Sequence, residues 1–220
     1  MFFFELKKQI KQINDLIFNL FFFLITTTIF VFAVDYDFAQ QKIYAAGITL
    51  TILLLAILIV VEKNLKEDFS DGILEQLYIF NRAAGQIILA KYFSFLIFIY
   101  ILLLATPLVL VSFALNISDI KIFVIIIAAM LPLITALCFL GSIFTFKIAG
   151  QKNFLIYIII LPLLIPEIIF IMLILENNYV NYDFARVQNY LEYMLFLNLV
   201  LLPICYFLAK NSLKSALKYD

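Results

Sequence analysis

The sequence predicts an all-α integral membrane protein of six transmembrane helices, with both ends in the cytoplasm. Three observations lead there. Of 220 residues, 66% are apolar and only 14% are charged, whereas a soluble domain is nearer half apolar and a quarter charged. The charges cut the chain into long apolar blocks of membrane-spanning length. The basic residues fall almost entirely in alternate connections between those blocks.

The excess of apolar side chains, 25 Phe among them, has no place to hide inside a soluble fold of this size, so it must face lipid. In hydrocarbon every backbone amide has to be paired within its own segment or in a closed barrel. Uncharged runs of this length are helices, and the alternation of barrel strands is missing. The expected spans are 16–34, 43–61, 92–115, 122–146, 154–175 and 192–209. The first two contain runs of 19 uncharged residues, which at about 1.5 Å per residue nearly match the hydrocarbon thickness.

Ahead of the first span, residues 1–15 place Phe3, Leu6, Ile10, Ile13 and Ile17 at helical spacing, with Lys7, Lys8 and Lys11 between them. This pattern suits a helix lying at the cytoplasmic interface, or a simple extension of the first span. The first span itself reads as an uncleaved anchor. It is longer than the apolar core of a signal peptide, and no small-x-small cleavage site follows it.

Orientation follows from Lys and Arg. With the N-terminus inside, twelve of them lie in cytoplasmic segments and only Lys42, Lys121 and Arg186 outside, the asymmetry that basic residues show towards the cytoplasmic side. Five or seven spans would put the basic C-terminal tail outside.

The longest connection, 62–91, lies between the second and third spans. Asp71 or Gly72 can cap a short helix there, with Glu75 in its first turn. Ile73, Leu74 and Leu77 would give that helix an apolar face. Such a face either docks a partner or packs on the chain's own bundle.

All five prolines, Pro107, Pro132, Pro162, Pro166 and Pro203, fall inside predicted spans, where neighbouring helices can tolerate the kinks. Pro162 and Pro166 should distort the fifth span locally. Glu167 follows at once, the one ionisable group within that span. It is either a gate facing the bundle interior or an acid at the outer interface beside an irregular turn.

Other chemistry is excluded or unsupported by composition. The chain has no His, so sites that require His ligands for haem or zinc cannot be built within it. Cys138 and Cys205 are far apart and form no CxxC, as expected of packing residues. There is no P-loop motif and no nucleophile with its base. Net charge is zero, so no basic field points to nucleic acid. The chain is therefore expected to have no catalytic, cofactor or metal residues, and work on a substrate would draw its energy from a partner or an ion gradient.

The run Val61-Glu62-Lys63-Asn64-Leu65-Lys66-Glu67-Asp68-Phe69-Ser70-Asp71-Gly72-Ile73-Leu74-Glu75-Gln76-Leu77 resembles the signature loop of the haem exporter protein B family, CcmB. Glu62, Asp68, Asp71, Gly72, Leu74, Glu75, Gln76 and Leu77 match its pattern. Leu161-Pro162-Leu163-Leu164-Ile165-Pro166, followed by Ile168, Ile169 and Phe170, is similar to the family's proline pair. Glu167 stands where that pattern has an apolar residue, so it inherits no role. The resemblance covers the whole chain.

It implies the permease subunit of an ABC-type transporter required for haem export or delivery in c-type cytochrome biogenesis. The partners implied are a separate ATP-binding subunit resembling CcmA, a haem-handling membrane subunit resembling CcmC, and a second copy of the chain. Haem is the implied cargo. The matching loop residues would form a coupling helix seated on the ATPase, and substitution of Leu74 or Leu77 is expected to weaken that association without unfolding the bundle. The bacterial inner membrane is the implied compartment, with the mitochondrial inner membrane as the alternative. Two other readings stand beside this one: an ABC-type permease for a lipid or drug, and a secondary transporter or membrane enzyme built around Glu167.

Overall fold

The structure is a computed structural model describing residues 3, 5, 7, 8, 13–33, 38–80, 83–103, 117–145, 154–179 and 181–217. Among these residues the secondary structure is entirely helical. The helices whose bounds fall among the described residues are α1 (Ile13–Ala33), α2 (Phe38–Ser70), α3 (Ile73–Ile79), α4 (Ala84–Leu103), α5 (Ile117–Thr145), α6 (Phe154–Tyr179) and α7 (Phe184–Ala216). Gly47–Ser70, Ile120–Phe144 and Phe184–Ala216 are long and apolar enough to cross a membrane.

The helices overrun the boundaries drawn from charge. The connection at 62–91 is largely helical: α2 continues through Glu62 to Ser70, and α4 begins at Ala84 rather than at Tyr92. Charge marks where lipid ends, but a helix stops only where its hydrogen-bond ladder is interrupted. Pro107 and residues 104–115 of the expected third span lie outside the described residues. So does much of the expected interfacial helix at 1–15, although Phe3, Glu5, Lys7 and Lys8 are helical.

The bundle is built around α5, which packs against α2, α4, α6 and α7. Its surface is buried nearly all round over residues 133–143, including Leu133, Ile134, Leu137, Cys138, Phe139, Leu140 and Ile143. Lipid offers no hydrophobic penalty to separate helices from, so close packing and internal hydrogen bonds must hold such a bundle. Phe95 and Tyr92 of α4 set their rings edge-on to Phe139, at centroid distances of 5.2 and 6.1 Å. Hydroxyls within α5 bond back along their own helix, Thr135 to the Leu131 carbonyl and Ser142 to that of Cys138. By contrast, α7 buries only a stripe, with Met194, Asn198, Cys205, Ala209 and Leu213 inward. Phe196, Leu199 and Phe207 on its other faces are exposed, an apolar surface suited to lipid.

Pro132 interrupts the ladder at the middle of α5 without ending the helix. Having no N–H, it leaves the Ala128 carbonyl without its usual partner. The Tyr100 hydroxyl donates to that carbonyl at 3.0 Å. Asn198 Nδ2 of α7 donates to the Ala129 carbonyl at 2.8 Å, and the Tyr92 hydroxyl to that of Pro132 at 2.9 Å. Side chains from α4 and α7 thus satisfy the weakened segment, as buried polar groups away from water require. Tyr100→Phe leaves the Ala128 carbonyl bare and is expected to destabilise the bundle by about 1 kcal/mol, read as a lower unfolding midpoint in detergent.

Candidate functional site

Three features merit a functional reading: the short helix α3, the charged cluster beneath it, and Glu167.

The turn between α2 and α3 is made by Gly72, whose φ of 70° is left-handed. A side chain there would meet no neighbouring atom, so the constraint is the backbone itself. For other residues that conformation costs roughly 1–2 kcal/mol. The Gly72 amide donates to Phe69 and its carbonyl accepts from Gln76, so one residue ends α2 and caps α3. Glu75 occupies the first turn of α3, where a carboxylate complements the helix dipole.

The apolar face of α3 turns inward. Leu74 is 1% exposed and belongs to the bundle core, while Leu77 and Tyr78 pack against that core. Leu74 and Leu77 therefore seat the helix, and substitution at Leu74 would disturb the seat itself. The side chains that α3 and its C-cap present outward are Glu75, Gln76, Ile79 and Phe80. The last two are 78% and 77% exposed. Asp71 is also exposed, but Glu62 and Asp68 of the matching run are buried in α2.

Asp68 instead joins a buried charge cluster. Its carboxylate accepts from Lys91 of α4 and from Lys8 of the N-terminal segment. Lys91 also donates to Glu5 at 3.0 Å. Glu5, Asp68 and Lys91 are each no more than 2% exposed. Burial pushes the Lys91 ammonium below the ordinary lysine range, with neighbouring Glu5 pulling it back. Lys8 is lowered too, first by burial and then by the Lys91 charge. The cluster ties the N-terminal segment, the end of α2 and the start of α4 into one base for α3.

In the sequence Lys91 counts only as one of the cytoplasmic basic residues, at the end of the 62–91 connection, and that reading does not mark this cluster. The available signal was the position of Lys91 next to the uncharged run at 92, together with Glu5 on a helix otherwise marked by Lys. The pairing spans 86 and 23 residues of sequence, so no local periodicity could reveal it.

Glu167 lies on the inner stripe of α6 between buried Leu164 and Ile171 and is 1% exposed. The helix runs unbroken through Pro162 and Pro166, both exposed on the opposite side. This corrects the expectation of an irregular turn: the carboxyl faces the bundle interior. Among the described residues neither of its oxygens has a hydrogen-bond partner. A bare buried carboxyl is costly, so Glu167→Leu is expected to raise the unfolding midpoint, with a gain of about 1–3 kcal/mol. An unchanged or lower midpoint would mean that the carboxyl is partnered in the folded protein.

No group of three or more potential metal ligands occurs among the described residues. Cys138 and Cys205 are both buried free thiols. No curated protein compared with the chain matches it. The family described as CcmB protein matches over residues 1–215. That match takes in the bundle, the turn at Gly72 and the charge cluster alike, and the chain belongs to the CcmB family, a membrane component of the haem export system of cytochrome c biogenesis.

Proposed function

We propose that the chain is the permease subunit of an ABC-type complex, crossing the membrane six times with both ends in the cytoplasm. The observation that carries this reading is α3: a seven-residue helix anchored by Leu74 and presenting Glu75, Gln76, Ile79 and Phe80 away from the bundle. A short helix that is stapled down on one face and leaves two large apolar side chains exposed on another suits a partner's groove. The chain has no P-loop of its own, so the partner would be the ATP-binding subunit resembling CcmA.

Asp68 then acts from beneath the contact, by holding α2 to α4 and to the N-terminal segment. Movement imposed on α3 would pass through this charged base into the helices around α5, a rigid-body transmission between packed elements. An ATPase dimer offers two grooves, which supports two copies of the permease. A haem-handling membrane subunit resembling CcmC completes the assembly, in the bacterial inner membrane or its mitochondrial counterpart. Glu167 is the proposed gate, since an unpartnered acid inside a membrane bundle is costly to keep.

Affinity purification in mild detergent tests the reading. The ATP-binding subunit should be recovered with the chain, and loss of the chain should abolish holo-cytochrome c while leaving the apoprotein. Transport that persists without any ATPase would instead favour a secondary transporter.

A further inference from the structure

A groove of about 590 Å³ runs between α4 and α7, floored by Pro132, Ala136 and Phe139 of α5. Its size is that of a small-molecule site, roughly 300–1,000 Å³. Along α4 it extends from Ile88 to Leu96, about 12 Å of helix. The walls are apolar, and the Tyr92 hydroxyl, the one polar group facing it from α4, is already bonded to the Pro132 carbonyl.

Two further observations say what fills it. The rims carry Leu89 and Phe93 on α4 and Pro203 on α7, all exposed, so the groove opens towards lipid. Its end nearest α3 is charged. There α4 and α7 approach so closely at Gly85 that a Cβ would overlap the Tyr206 hydroxyl, and the Lys210 stem lies 3.4 Å from the same point. Lys214 follows one turn later. No acidic residue stands between Glu192 and Asp220, so this end of α7 carries basic side chains and no acid.

We propose that this groove binds one acyl chain of an anionic glycerophospholipid whose phosphate sits at Lys210 and Lys214. An apolar trough facing hydrocarbon cannot stay empty, and basic side chains at membrane level attract anionic headgroups. Specificity then comes from the charged end, and residence from the apolar length.

The test uses the full chain purified from nanodiscs containing phosphatidylglycerol and phosphatidylcholine, with retained lipid counted by native mass spectrometry. About one phosphatidylglycerol per chain is expected. Lys210→Ser should lower its retention roughly fivefold, and Leu89→Trp, which fills the trough from its rim, should remove it. Lys214 is exposed, so Lys214→Ser, which should lower retention in the same way, keeps the test decisive if Leu89→Trp fails to fold. The proposal is overturned if both lipids are retained equally, or if Lys210→Ser leaves retention unchanged. It is also overturned if the trough is found occupied by a tetrapyrrole or by a helix of another subunit.

Discussion

Lys91→Met is expected to be among the most destabilising single substitutions in this chain. It removes the cation that faces both Asp68 and Glu5 and leaves two carboxylates buried beside Lys8. Breaking a buried pair by deleting one partner costs about 3–5 kcal/mol. The exposure of 3% or less at all three side chains rules out relief by solvent. The measurement is the unfolding midpoint in detergent, with proteolysis of the N-terminal segment as a local probe. Because the cluster is one network, the effects should not add. Lys91→Met combined with Asp68→Asn and Glu5→Gln should recover most of the loss, since neutral replacement of the buried members is often tolerated and leaves charged only Lys8, whose side chain reaches solvent. Equal damage in the single and triple variants would mean that Lys91 matters for its packing and not for its charge.

The second large effect belongs to Ile79→Asp with Phe80→Asp. Both side chains stand clear of the bundle, so the stability of the isolated chain should move by no more than about 0.5 kcal/mol per site. At an interface, large apolar anchors are worth more than 1 kcal/mol each and often above 2. Together they should lower recovery of the ATP-binding subunit at least tenfold, and holo-cytochrome c with it. Leu74→Asp should behave differently: it buries a charge in the core and dislodges α3, so stability and association fall together. Separating the two outcomes requires both measurements on each variant.

That contrast also shows where the sequence was informative. Where the apolar blocks are described they lie in helices, because charge is expensive in lipid and a charge-free run of span length leaves few alternatives. Asp71 or Gly72 could be read as the cap of a short helix, and Gly72 holds that position with a left-handed φ. The inward face of α3 was not legible. Ile73, Leu74 and Leu77 reveal an apolar stripe, but a stripe does not say whether its own bundle or another protein covers it. Nor could the Pro132 break disclose that Tyr100, Tyr92 and Asn198 would bridge it, because those partners arrive from helices that only the fold brings alongside. Glu167 was visible as an anomaly, yet its direction on α6 depended on which side of the helix the prolines took.

The central claim is that the outward side of α3 meets the ATP-binding subunit. A photo-crosslinking amino acid placed at position 80 in the intact complex, with one at position 74 as the inward control, tests it directly. Crosslinks to the ATP-binding subunit from position 80 and none from position 74 are the predicted result. Crosslinks from neither position, or from position 80 only to proteins on the far side of the membrane, would contradict it.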